Sequence, residues 1–226
     1  MARGQLNVKT KKLESRPGIV AVISSPSGAG KTTICRQLVK KYSGYRYSIS
    51  ATSRPPRKSE KNGVDYFFVS DAEFVKAAGS KTFIESARYL NHWYGTPKRP
   101  LLEAIDHGDT MLLDIDVQGA AIIKKAMPHA VTVFVLPPSL AELKRRLLGR
   151  KTEDPVVAKR RLAKALSEIK SWNSYDYVII NEKIGTAVKE IYNILTAERN
   201  KTVRLRDKKY WKKSLAKLLG LTGTRR

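Results

Sequence analysis

Residues 18–25, GIVAVISS, are almost continuously apolar and rich in β-branched side chains, and Pro26 and Gly28 end the run. Apolarity at every position predicts a strand buried on both faces, as in parallel sheets. From Lys31 the period changes, and Ile34, Leu38, Val39 and Tyr42 recur on one face of a predicted helix. Two more buried strands are predicted over 110–116 (TMLLDID) and 131–136 (VTVFVL), and a shorter one over 177–180 (YVII). Helical spacing fills the intervals. Ser139 and Glu142 form the capping-box pattern for a helix running to about Leu148. Asp154 and Pro155 supply an N-cap and a first-turn proline for the next helix. In that helix Leu162, Ala165, Leu166, Ile169 and Trp172 are expected to face the core. Strands alternating with helices predict a doubly wound α/β fold on a parallel sheet.

Residues 50–96 break this rhythm. A basic, turn-rich stretch, Arg54-Pro55-Pro56-Arg57, leads to Asn62-Gly63, then strand-like runs at 64–69 and 82–89. A short helix between those runs is expected to be capped by Ser70 and Glu73. The segment reads as a small, mostly β insertion between strands of the parent sheet.

Length and composition fit one globular domain with subdomains: 226 residues, 42% hydrophobic and 28% charged. A lone cysteine, Cys35, rules out an internal disulfide framework and suits a reducing compartment, so a cytoplasmic location is expected. No apolar run reaches the roughly 18 residues that span a bilayer. The net charge is +24, and thirteen of those charges sit in two tails, residues 1–16 and 201–226. Such a surplus suits anionic partners, either phosphorylated small molecules or nucleic acid. In the C-terminal tail Lys208, Lys209, Lys212, Lys213 and Lys217 interleave with Tyr210, Trp211, Leu215, Leu218 and Leu219. That pattern could touch nucleic acid or an anionic membrane surface, or form a solvated tail.

The strongest chemical signal is Ser25-Pro26-Ser27-Gly28-Ala29-Gly30-Lys31-Thr32, followed by Thr33. It matches G-x-x-x-x-G-K-[ST] except for Ser25 at the first glycine, and it joins a buried strand to a helix. Small residues there let backbone N–H groups converge on phosphate oxygens, and the helix N-terminus adds its positive end. Lys31 would neutralise the β- and γ-phosphates of ATP, and the Thr32 hydroxyl would reach Mg²⁺. Asp114 and Asp116 stand at the end of a predicted strand, where open α/β sheets line their ligand crevice. Asp114 is a candidate to hold Mg²⁺, and capping of the following helix is the alternative for both.

The ordered motifs now carry a resemblance. Ser50-Ala51-Thr52-Ser53-Arg54-Pro55-Pro56-Arg57, then Asn62 to Val69, Phe83-Ile84-Glu85, Trp93-Tyr94-Gly95-Thr96, and Leu113 to Gly119 follow the phosphate loop. Pro137-Pro138-Ser139, Arg146 to Arg150, and Arg161 complete the series. Over roughly residues 17–199 the chain resembles guanylate kinases. The resemblance implies ATP- and Mg²⁺-dependent phosphorylation of GMP, and of dGMP, to the diphosphate. It implies that Ser50, Arg54, Arg57, Tyr66 and Tyr94 hold the GMP phosphate, while Glu85, Thr96 and Asp116 read guanine. It makes Arg146, Arg150 and Arg161 arginines of a helical lid over residues 139–164, and sets Asn181 near the adenine of ATP. The implied organisation is a core of 17–49, 97–138 and 165–200, a GMP-binding insertion of 50–96, and tails of 1–16 and 201–226. Two other readings stand beside it. A non-catalytic interaction module would be expected to lose the loop residues Lys31, Thr32 and Asp114, and a kinase for another phosphorylated acceptor would lack the Glu85, Thr96 and Asp116 set.

Overall fold

A computed structural model describes residues 18–148 and 155–205, and the two basic tails beyond those bounds, with Arg150 and Asp154, lie outside them. In chain order the elements are β1 (Ile19–Ser24), α1 (Lys31–Lys41), β2 (Tyr45–Tyr47), β3 (Ala51–Thr52), β4 (Phe67–Phe68) and α2 (Asp71–Gly79). Next come β5 (Phe83–Tyr89), β6 (His92–Pro97), α3 (Lys98–Asp106), β7 (Thr110–Asp114), α4 (Val117–Ala126) and β8 (Val131–Leu136). The chain continues through α5 (Leu140–Leu148), α6 (Pro155–Ile169), β9 (Tyr177–Ile180), α7 (Ile184–Arg199) and α8 (Thr202–Leu205).

The apolar runs form the parallel sheet. Its order is β2-β7-β1-β8-β9, with β1 central, and every residue of β1 is buried. Alternation along β1 sends Ile19, Ala21 and Ile23 into one core with α1 and α7, and Val20 and Val22 into another with α3 and α4. Two layers of helix thus seal a sheet that has no polar face, which is why its strands need no polar alternation. With β1 in the centre, its carboxyl end opens between the ends of β7 and β8, where a doubly wound sheet binds its ligand.

The insertion is a second sheet of order β4-β3-β6-β5, with β5 and β6 antiparallel. Phe74 of α2 stacks on Phe83 and Trp93, with ring centroids 4.7 and 5.7 Å away, and so anchors the helix to this sheet. The Ser70 capping box is complete: Ser70 Oγ accepts from the Glu73 N–H at 3.2 Å and the Glu73 carboxylate accepts from the Ser70 N–H at 2.7 Å.

Several sequence expectations are corrected. The strand predicted over 110–116 ends at Asp114, because Asp116 turns out to cap α4 and accepts from the Gln118 and Gly119 N–H groups. The strand predicted over 64–69 shrinks to Phe67–Phe68, because Gly63, at φ 74°, turns the chain and donates its N–H to Tyr66 O. The Ser139 pattern yields half a box: Ser139 Oγ caps the Glu142 N–H at 3.1 Å, while the Glu142 carboxylate turns to Arg145 and Arg146. Of the five residues expected to bury on α6, Leu166 and Trp172 are instead 40% and 50% exposed. Among the described residues the buried stripe of α6 meets Leu143 and Leu147 of α5, and Leu162, Ala165 and Ile169 fill it. Trp172 lies past the helix end, in a short 3-10 turn.

Candidate active site

The loop between β1 and α1 owes its shape to two glycines. Gly28 and Gly30 sit at φ 88° and 95°, left-handed conformations that cost an ordinary L-residue roughly 1–2 kcal/mol. Gly30 is also the N-cap of α1, so its turn aims the helix's free N–H groups into the crevice. Behind the loop, the Asn181 amide donates to Ala29 O at 2.8 Å, and a Cβ on Gly30 would stand 2.9 Å from that amide. Asn181 is fully buried there, so it supports the loop from beneath and presents no side-chain surface to a nucleotide. Ser25, Ser27, Gly28, Gly30, Lys31, Thr32 and Thr33 line the crevice, Ala29 is buried behind it, and the Pro26 carbonyl accepts from both Ser25 Oγ and the Ala29 N–H.

Asp114, at the end of β7, gathers three donors. Lys31 Nζ stands 3.0 Å from Oδ1, and Thr32 Oγ1 and Tyr47 OH donate to Oδ2 at 2.5 and 3.1 Å. Burial works against the Lys31 charge, but Asp114, with Tyr66 and Tyr89 adding to it, holds the ammonium well above an ordinary lysine pKa. The donor set of one carboxylate and one hydroxyl fits Mg²⁺, a hard cation that takes oxygen ligands and few of them from protein.

Across the crevice the insertion presents its cations. Arg54 Nε donates to Tyr94 OH at 3.2 Å, and its guanidinium lies 5.5 Å from the Tyr66 ring centroid. Its Nη2 is held by both oxygens of Glu60, at 2.8 and 2.9 Å, which raises its pKa against the desolvation that would lower it. Glu60 also accepts from the Arg57 N–H at 2.8 Å, so one carboxylate organises the whole basic turn. The Arg57 side chain remains 53% exposed. Burial, with the Asp114 charge adding to it, pushes the Tyr66 hydroxyl up to about 12, so it stays a protonated donor. Ser50 completes this end of the lining.

Glu85 and Asp116 share the base-sized end of the crevice. Glu85 is 5% exposed and accepts from Thr96 Oγ1 at 2.6 Å. Burial is the main cause that raises its pKa to about 7; the Thr96 bond opposes the rise and the Asp116 charge adds to it. Asp116 spends Oδ1 on capping α4, while its buried Oδ2 meets no partner among the described residues. Such an acceptor is a costly thing to bury unless a ligand supplies the donor.

The predicted site residues therefore converge from three directions: Lys31 and Thr32 from α1, Arg54, Arg57, Tyr66, Glu85, Tyr94 and Thr96 from the insertion, and Asp114 and Asp116 from the end of β7. Thr96 stands behind Glu85, fully buried, and reaches the crevice through it. Arg146 reaches the loop from α5, with Nη1 3.5 Å from Ala29 O, and is held by Glu142 at 2.6 Å. Arg150 lies outside the described residues, and Arg161 falls on α6 with its side chain outside them. Sequence reasoning missed three residues. Glu60 could have been noticed as the acidic residue inside a basic turn. Glu168 was signalled by its place beside the apolar stripe of α6; it is buried, and its Oε2 accepts from the Ser27 N–H at 3.2 Å. Tyr47 carried no signal beyond strand alternation.

Comparison with known proteins gives one consistent result. The profile of the family described as Guanylate kinase matches residues 18–198. The guanylate kinase of Clostridioides difficile is 44% identical over 192 residues, 85% of this chain and 94% of its own. That of Syntrophotalea carbinolica is 47% identical over 191 residues, 84% of this chain and 91% of its own. Among solved structures, the guanylate kinase of Anaplasma phagocytophilum superposes with a TM-score of 0.72 at 36% identity, covering 85% of this chain and 92% of that one.

Proposed function

The chain belongs to the guanylate kinase family, and from that premise we propose how its own residues divide the work of moving the γ-phosphoryl group of ATP to GMP. The observation that carries the division is the pair of buried acceptors, Glu85 and the unpartnered Asp116 Oδ2, opposite a phosphate loop. Guanine offers an N1–H and an amino group to such acceptors, and adenine presents an acceptor at N1.

Lys31 and the loop N–H groups bind the ATP phosphates, while Thr32 and Asp114 would hold Mg²⁺. When bound, the ion neutralises phosphate oxygens and polarises the bond that breaks. Arg54, Arg57, Ser50, Tyr66 and Tyr94 fix the GMP phosphate, two guanidinium forks and three hydroxyls meeting one dianion. Glu85, oriented by Thr96, and Asp116 fix the base. A GMP phosphate oxygen attacks the γ-phosphorus of ATP; that P–O bond forms as the bond to the bridging oxygen breaks, and ADP leaves with the electron pair. A phosphate monoester has its second pKa near about 6, so the attacking oxygen is already unprotonated at neutral pH and no general base is required. Catalysis is then positioning and charge neutralisation. Arg146, which reaches the loop, adds positive charge there, and the resemblance gives Arg150 and Arg161 the same role. The same residues accept dGMP, since none of them is assigned to the ribose 2′-hydroxyl.

The test is a coupled assay of ADP formation with GMP, dGMP, AMP, UMP and CMP as acceptors. Turnover confined to GMP and dGMP and abolished by EDTA is expected. Folded protein that leaves GMP unchanged would overturn the reading and favour a non-catalytic module.

A further inference from the structure

Tyr47 ends β2, an edge strand of the parallel sheet, and pairs in register with Leu112 of β7. Side chains two residues apart on a strand share a face, so Leu112 and Asp114 point the same way, and Tyr47 points with them. The phenol therefore runs beside β7 toward its carboxyl end and places its hydroxyl 3.1 Å from Asp114 Oδ2. Its ring is partly buried against the α1 core.

The other two donors on Asp114 have work elsewhere. Lys31 and Thr32 belong to the phosphate loop and its helix, and their chemistry sends them to phosphate oxygens and to the metal once nucleotide is bound. When they leave, Asp114 retains one of its three donors, Tyr47 on Oδ2. Resting on the reading of Lys31, Thr32 and Asp114 given above, we propose that Tyr47 is a positioning residue for the metal-binding carboxylate. Its hydroxyl clamps Oδ2 throughout the cycle and so fixes the orientation of the carboxylate that would hold Mg²⁺. Partners that orient a metal-binding group in this way typically contribute about 10–100-fold to metal affinity or activity. Tyr47 touches neither substrate in this assignment and acts through Asp114 alone.

The experiment is calorimetric binding of ADP to the full chain, with and without Mg²⁺, for wild type and Tyr47→Phe. In wild type Mg²⁺ should tighten ADP binding; absence of that gain would refute the assignment of the Thr32 and Asp114 pair itself, whatever Tyr47 does. Given the gain, Tyr47→Phe should lose about tenfold of it, with metal-free ADP binding and the KM for GMP within about twofold of wild type. In an Asp114→Asn background the same substitution should change nothing further. A full Mg²⁺ gain in Tyr47→Phe, or equal losses with and without metal, would overturn the proposal and leave Tyr47 a packing residue. Should Tyr47→Phe fail to fold, a crystal structure of the wild type with Mg²⁺ and ADP decides. Tyr47 OH within hydrogen-bond distance of Asp114 Oδ2 supports the clamp, and separation of the two overturns it.

Discussion

Glu85 is nearly inaccessible to solvent, yet in the role proposed for it, it must meet guanine as a carboxylate, since a protonated oxygen would face N–H donors with a donor of its own. Burial raises its pKa from 4.5 to about 7. A raised folded pKa means that the protonated form favours the fold: this contribution is complete below about pH 4.5 and is lost as pH rises through about 7. Guanine binding has the opposite requirement, so it draws on the ionised fraction. That fraction grows about tenfold between pH 6 and pH 8, and the KM for GMP should fall by about the same factor. In Glu85→Gln only the smaller change from the phosphate of GMP itself, with its second pKa near about 6, should remain. Steady-state kinetics across that range test this; a flat wild-type KM, or the same slope in both proteins, contradicts it. Glu85 was legible in the sequence through the ordered motifs around it. Its raised pKa was not, because burial, its main cause, comes from packing between elements, and the Asp116 charge that adds to it comes from the cap of α4.

At the scale of elements, the loop and its flanks were the most legible part of the chain. A wholly apolar strand, a glycine-bearing turn and a helical period are each local signals, and they agree. What local signals could not supply was the support beneath the loop. Asn181 follows β9, and its amide reaches Ala29 O across 152 residues of sequence. Its side chain is fully buried there, because the end of β9 tucks under the loop. This support makes Gly30 the sensitive point. Gly30→Ala places a side chain at φ 95°, with its Cβ 2.9 Å from the Asn181 amide. A loss of roughly 1–2 kcal/mol is expected from the backbone alone. Each kcal/mol corresponds to about 2–4 °C of melting temperature in a domain of this size. A loop displaced by about 1 Å should also cut kcat/KM for ATP by about 10²-fold, with the GMP site intact. Melting curves and kinetics with each substrate varied in turn check this. An unchanged melting temperature and ATP dependence would show that the loop relaxes freely.

For the whole molecule, two sheets divide the labour. The parallel sheet sets the loop between β1 and α1 at its central carboxyl edge, and the insertion lays the basic turn around Arg54 and the buried Glu85 opposite. The α6 helix touches both sides: Glu168 holds the Ser27 N–H, and Lys164 lies 4.8 Å from the Tyr89 ring centroid. A helix bridging both halves is suited to report occupancy of one site to the other, and to shut out the water that would waste ATP. The place of Glu168 beside the apolar stripe marked that residue, but neither contact was legible, because each joins residues from different elements through side-chain reach alone. Nor was the tie at the end of α7, where buried Glu198 accepts from Tyr177 OH at 2.5 Å and from Arg204 at 2.9 Å. Arg204 belongs to the segment that charge counting assigned to a tail; its partner makes it part of the fold.

In the proposed reading these parts serve discrimination of one base, and kcat/KM for GMP against AMP, in wild type and in Glu85→Gln, measures it most directly. Sites that hydrogen-bond a substrate group reject analogues lacking it by roughly 10⁴–10⁵. The wild type should prefer GMP by about that factor, and Glu85→Gln should lose most of the preference through the GMP term while ATP binding is retained. Comparable use of GMP and AMP by the wild type, or an unchanged ratio in Glu85→Gln, would contradict the account.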